Sequence, residues 1–499
     1  MVGHMLRPAL LAVLLLHPLP LLAADKVALV IGMGDYETIP ALENPVRDAE
    51  GVADTLEAIG FDVTRVIDQG ADRLRDELGA FAFRSETAEI ALVYYAGHGV
   101  EVQGENFLIP VDAAVGSNRD VQRQAVSLDD LLTAVDSARA MRVVILDSCR
   151  DNPFGDALDL DALAEREATE GTRSAGGGGL APPSPDRGTL VAFAARAGEV
   201  ALDGIGEHSP FAQALMDAMD DPGLEISLMF RKVRDEVLQR TRNRQEPYTY
   251  GSLSGEPFYL AGPAGPDSEV ASDDLKVAWS DLRPEQEVQL AALAEGGDTR
   301  SMVGLAYMRL NEADPRYAPE EAADWLHRAA EAGSPEAQFE LAKLYEAGIG
   351  VEQDAARARA LYEAAAAQDF ADAINDLGFL YYQGGLGLVR DPAIAIEHFQ
   401  RAAELRHPQA MYNTAALIDD GIVPGAGPED AGRLLYLALR AGSEDVYELL
   451  RDKPGMFKEE TRRALQERLR ANGFYDGALD ADLGPGTQRG IRAAYGLSG

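Results

Sequence analysis

A single cysteine, Cys149, occurs in 499 residues, so the chain cannot form an internal disulfide. Basic residues are scarce beside acidic ones, 45 against 83, and the formal net charge is -38. A surface of that sign argues against nucleic acid or anionic lipid as the main partner and leans toward cationic ligands. After residue 22 no apolar run is long enough to cross a bilayer, so no transmembrane segment is expected once the first residues are removed. The histidines of the C-terminal half, His327, His398 and His407, lack metal-ligand spacing. The pairs Asp129-Asp130 and Asp220-Asp221 read as solvated helix ends, and VIGMGDY (30 to 36) lacks a dinucleotide fingerprint and reads as a turn. No cofactor and no metal site is expected.

What is present divides the chain. Residues 9 to 22, ALLAVLLLHPLPLL, follow Arg7, are broken by Pro18 and Pro20, and precede Ala23-Ala24. That pattern reads as a secretory signal over 1–24, with an uncleaved anchor as the alternative, and the expected location of the product is outside the cytoplasm, in the periplasm. From Lys26 to Leu260, β-branched runs (26 to 32, 61 to 67, 89 to 97, 142 to 148, 189 to 195) alternate with helical stretches such as 47 to 60 and 128 to 140. Continuous apolar strands separated by helices imply an α/β domain, residues 25–262, with a mostly parallel sheet flanked by helices on both faces. Within it, 152–188 has no periodicity, is rich in glycine and proline, and reads as an exposed loop. A linker is expected over 263–283.

Beyond the linker a repeat takes over. GSPEAQFELAKLYEAGIG, QDFADAINDLGFLYYQGG and LRHPQAMYNTAALIDDG align with Ala337, Ala373 and Ala410 in one position, and Ser301 falls one period earlier. Amphipathic stretches such as 322 to 332 lie between the copies, so residues 284–450 read as stacked helix pairs that bury their faces only against neighbours. The array resembles Sel1-like repeats, which implies an all-α solenoid and a protein partner the sequence does not name. The last segment, 456–499, carries Gly473-Phe474-Tyr475, Gly477 and Gly484-Pro485-Gly486-Thr487 after a Leu465-Gln466 start. It resembles the small helical peptidoglycan-binding module, and so implies cell wall as a ligand; a helical cap without sugar binding is the alternative.

The chemistry lies where the strands end. Ligands of such sheets bind beyond the carboxyl ends of the strands. Gly97-His98-Gly99 follows the third apolar run and Cys149 the fourth, so the lone histidine of that edge and the lone cysteine are expected to meet. Asp147, two residues before Cys149, points to the same side of a strand. These segments, with ALENPVRDAEGVADTLEAIGFDV, NFLIPVDA, FAARAGEVALDG, HSPFAQAL and SLSGEPFYL, resemble the caspase-like cysteine peptidases, nearest to the paracaspase and bacterial caspase-like branch.

That resemblance implies a residue-by-residue assignment. Cys149 is the nucleophile, His98 its acid/base, and the backbone N–H groups of Gly99 and Cys149 form the oxyanion hole. Asp48, Asp147 and Asp203 match the pocket that holds arginine or lysine before the scissile bond, so the expected substrate is a protein or peptide with a basic residue there. Calcium dependence stays open because metacaspase relatives use it, and Arg166, Arg173 and Arg187 in the 152–188 loop offer sites for self-cleavage. The alternative from another class is a catalytically silent caspase-like scaffold that recruits envelope partners.

Overall fold

The computed structural model describes residues 26–149, 188–196, 201–204, 206–253, 257–262, 279, 282 and 284–497. The signal expected over 1–24 and the loop arginines Arg166, Arg173 and Arg187 lie outside them, as does the side chain of Cys149.

Five parallel strands carry the N-terminal half: β1 (Lys26–Gly32), β2 (Asp62–Ile67), β3 (Ile90–Val102), β6 (Met141–Cys149) and β7 (Thr189–Phe193). An antiparallel strand, β8 (Tyr248–Ser252), closes the path, and the spatial order is β2-β1-β3-β6-β7-β8. Their apolar runs are continuous because both faces are covered. Leu29, Ile31, Val93 and Leu146 pack in one core with the helices Ala71–Ser85 and Leu128–Val135. Val30, Leu92 and Ile145 pack in the other, under the helices Pro45–Ala58, Pro210–Met219 and Ile226–Thr241. Chain order reverses at β1, whose neighbours are β2 and β3, so the crevice beyond the carboxyl ends of β1, β3 and β6 is the natural ligand site.

One expectation is corrected. The third strand does not stop at Gly97 but runs thirteen residues to Val102. It pairs with β6 through His98 opposite Cys149, then exchanges that partner for the short antiparallel strand β4 (Glu105–Leu108), with Gly99 opposite Leu108. Because β4 supplies backbone partners where β6 gives out, the strand has no reason to break. The glycine is required by crowding: Gly97 has φ +152°, and a Cβ there would lie 2.6 Å from the Tyr36 hydroxyl and 2.7 Å from that of Tyr95. Of the acidic pairs read as helix ends, Asp130 closes a capping box with Ser127 at the start of Leu128–Val135.

The C-terminal half is helical. Pairs run from Pro284–Glu295 and Thr299–Leu310 through Pro408–Asp419 and Pro428–Arg440. The aligned Ala337, Ala373 and Ala410 are all fully buried, and Ser301 nearly so, so the repeat position is one where helices approach too closely for a larger side chain. The final helices, Glu459–Ala471 and Pro485–Tyr495, are joined through buried Gln466. Its amide nitrogen donates to Thr487 Oγ1 (3.1 Å) and its oxygen accepts from the Ala481 N–H (2.8 Å), which explains why a Leu-Gln start accompanies a G-x-x-T helix.

Both ends of the array return to the sheet domain. At one, Arg300 ion-pairs with fully buried Glu225 at 2.8 Å and Gln286 donates to the Gly223 carbonyl at 2.6 Å. At the other, Arg440 donates to Glu86 (2.7 Å), to the Phe83 carbonyl (3.0 Å) and to the Ala494 carbonyl (3.2 Å), with its guanidinium over Phe83 and Phe474. Arg139 reaches the carbonyls of Arg440 and Tyr495. The array thus arches over the β8 side, and a cavity of about 1540 Å³ lies beneath it.

Candidate active site

His98 is nine-tenths buried on β3, directly across the parallel ladder from Cys149. Neighbouring strands lie about 4.8 Å apart, so the register alone brings the two residues to one edge. The loop after β1 fixes the imidazole. Asp68 accepts the N–H groups of Gly34 (2.7 Å) and Asp35 (3.0 Å) and so anchors that loop. Tyr36 then accepts the His98 backbone N–H at 2.7 Å, with its ring centroid 4.8 Å from the imidazole. His98 Nε2 lies 3.0 Å from the Pro40 carbonyl. A carbonyl only accepts, so Nε2 carries the proton and the neutral ring keeps its lone pair on Nδ1. Burial pushes the His98 pKa below its ordinary value, opposed by the Pro40 carbonyl and the charge of Asp203. The ring is therefore a neutral base at neutral pH, as removal of a thiol proton requires.

Three carboxylates gather beside this edge. Asp48, in the first turn of Pro45–Ala58, is 2% exposed. Its Oδ1 lies 2.9 Å from His208 Nδ1 and accepts the Ser209 N–H at 3.1 Å. Asp147 Oδ2 accepts from the Ser209 hydroxyl at 2.7 Å and from the Tyr94 hydroxyl at 3.2 Å. Asp203 approaches from the loop before Ser209; its carbonyl accepts from the amide of Asn44, whose oxygen in turn accepts from Arg47. Burial raises both Asp48 and Asp147 to about 7, Asp48 further under the charge of Asp203 and Asp147 further under that of Asp48. Asp203 is raised as well, first by burial and then by Glu43. Among the described residues no lysine or arginine is ion-paired to Asp48 or Asp147. The two acids thus lie within one another's field, with the Arg47 charge acting on Asp48 without an ion pair to it.

All three acids named from the sequence converge, and His98 and Cys149 stand in register. The sequence reading left out three contributors, Tyr36, Pro40 and Ser209, and set His208 near the cleft without a catalytic role. Tyr36 and Pro40 sit in a stretch that reads only as a turn, and their signal was its position after β1, which the sheet order sets beside β3. His208 and Ser209 sit in HSPF, and the serine before proline at a helix start was a visible cap signal. Among the described residues no group of three histidine, cysteine, aspartate or glutamate side chains is arranged to hold a metal ion.

Comparison with known proteins places the fold of this edge. The caspase domain model matches residues 25–259. This chain carries a caspase domain. The Sel1 repeat model follows it at 299–334, 335–370 and 371–407. Among curated proteins, the chain is 32% identical over 145 residues to the human mucosa-associated lymphoid tissue lymphoma translocation protein 1, covering 28% of this chain and 17% of that one. It is 41% identical over 83 residues to the Saccharomyces cerevisiae chitin synthase regulator SKT5, covering 16% and 12%. The chain thus spans less than a fifth of the length of these relatives. A crystal structure of a Sel1 repeat protein from Oxalobacter formigenes is 25% identical, with a TM-score of 0.31, over 40% of this chain and 60% of that one.

Proposed function

We propose that the protein is a cysteine endopeptidase, exported by its first 24 residues, that cleaves after arginine or lysine and is directed to its targets by the Sel1 array. The observation that carries the reading is the pair of carboxylates, buried Asp48 and half-buried Asp147, held among the described residues without a lysine or arginine ion-paired to either, beside the His98–Cys149 register. A guanidinium entering between them would form charge-assisted, bidentate hydrogen bonds and relieve their repulsion.

The chemistry then follows in two halves. His98 Nδ1 takes the Cys149 proton, and the sulfur attacks the scissile carbonyl carbon to form a C–S bond, with the backbone N–H groups of Gly99 and Cys149 facing the oxyanion. The C–N bond breaks as the imidazolium returns its proton to the leaving amine. Water, deprotonated by the same imidazole, hydrolyses the thioester and restores the thiol.

Fluorogenic peptides differing only in arginine, lysine or aspartate before the scissile bond test the reading, with and without calcium. Turnover of the basic peptides that vanishes in Cys149→Ala supports it. No turnover by the mature protein favours the second reading, a silent scaffold, which the similarity to proteins named as chitin synthase regulators supports. Sedimentation with purified sacculi tests the wall-binding reading of the C-terminal module.

A further inference from the structure

The serine that precedes the helix Pro210–Met219 does three things at once. Its side chain accepts the Ala212 N–H at 2.9 Å and caps the helix. Its hydroxyl proton goes to Asp147 at 2.7 Å, and its own N–H goes to Asp48, 3.1 Å from one carboxylate oxygen and 3.3 Å from the other. It is 3% exposed, so these bonds are shielded from water. The two acids come from a helix start and a strand end, and among the described residues Ser209 alone donates hydrogen bonds to both. Ser209 is the common point that sets their separation and direction.

Capping alone does not account for that geometry, because a cap needs only the oxygen as acceptor. Donating the hydroxyl proton to Asp147 Oδ2 leaves the direction of Oδ1 set toward the pocket, while the N–H spans both oxygens of Asp48 and fixes the plane of that carboxylate. His208 Nδ1 lies 2.9 Å from Asp48 Oδ1, the oxygen nearer the Ser209 N–H, and adds a second tether that keeps the carboxylate from swinging away.

We propose that Ser209 is a specificity-determining positioning residue, which aims the carboxylates of Asp48 and Asp147 at one incoming guanidinium. This rests on the basic-pocket reading above. The groups that face the pair are Asp203 and Glu43 from its mouth, Arg47 one turn-residue before Asp48, Tyr94 on β3, and His208. With both acids raised, the pair holds a proton near neutrality that a guanidinium must displace. The Ser209 hydroxyl favours the charged form of Asp147 and so eases that loss.

The test is calorimetric titration of agmatine, which carries the arginine side chain, into the full chain from about pH 6 to 8. The variants are Ser209→Ala, Ser209→Gly and Ser209→Thr. Glycine caps a helix almost as well as serine, whereas alanine does not. A hydrogen bond to a charged group is worth roughly 1.5–3 kcal/mol, so loss of the hydroxyl should weaken agmatine about tenfold or more in both Ala and Gly variants. Thermal stability should fall clearly only in the alanine variant, and threonine should restore affinity to within about threefold. Wild-type affinity should rise with pH, and in Ser209→Gly that rise should move to higher pH. Agmatine affinity in Ser209→Gly equal to wild type, or losses that follow thermal stability rather than the hydroxyl, would overturn the proposal. Absence of agmatine binding in the wild type would instead overturn the basic-pocket reading itself, and the positioning role with it.

Discussion

Buried charge is handled in opposite ways at the acidic pocket and at the junctions between the two halves. Where the array meets the caspase domain, buried charges are paired: Arg300 with Glu225 at one end and Arg440 with Glu86 at the other. In the pocket, Asp48 is as deeply buried and Asp147 half-buried, yet among the described residues their hydrogen bonds come from neutral donors and a histidine, with no lysine or arginine ion-paired to either. Burying a carboxylate without a cation is costly, and the cost emerges as raised pKa values. The junctions therefore spend guanidinium groups on holding the molecule together. On the proposed reading, the pocket keeps the same kind of site open for the guanidinium of a substrate.

The largest effect expected in breaking this contrast falls on the dyad. His98→Ala should lower turnover of an arginine peptide by about 10²–10⁴-fold, read from initial rates, because the base that activates the thiol is gone. Tyr36 and the Pro40 carbonyl hold that ring, so a hydrophobic replacement of Tyr36 should cost less but in the same direction.

Asp147→Asn comes next, and its two readouts should move oppositely. Cleavage after arginine should fall about 10²-fold as a charge-assisted contact is lost. Alkylation of Cys149 by iodoacetamide should become faster at a given pH, since removing a neighbouring negative charge favours the thiolate. A parallel loss of both rates would mean that Asp147 serves the fold instead of the pocket.

Arg440→Ala sharpens the other side of the comparison. Removing one partner of a largely buried pair costs about 2–4 kcal/mol, discounted here because Glu86 keeps some solvent. Limited proteolysis should then release the array from the caspase domain faster, while cleavage of short peptides stays within about twofold.

The smallest effect is on stability against pH. The folded pKa of the pocket acids lies above the unfolded carboxylate value, so their stabilising contribution is full at low pH and is lost as pH rises through about 7. Melting temperature should accordingly decline by a few degrees between about pH 6 and 8, more than in Asp147→Asn. Agmatine should return part of the loss at the upper end.

How much of this was legible varied with the kind of signal. Strands β1, β2, β6 and β7 stood out as β-branched runs, and the repeat register was readable because Ala337, Ala373 and Ala410 recur where helices touch. The end of β3 was misread because glycine marks both a turn and a close approach. Only the position of Tyr36 and Tyr95 tells which applies at Gly97. Strand β4 was too short to carry a periodic signal of its own, and β8, as long as β7, reads YTYGS, in which threonine, glycine and serine break the apolar run.

The sequence by itself determined the classes of element and the repeat, because each is encoded locally by residue type and spacing, whereas the proposed dyad and the three acids of the proposed pocket were legible through the resemblance to the caspase-like peptidases. Tertiary structure alone decided that Asp48 and Asp147 share Ser209, that Pro40 selects the His98 tautomer, and that Arg440 ties three parts of the chain together. Those contacts join residues 54 to 357 positions apart. Sheet order and helix packing set such distances, and no local pattern in the chain records them.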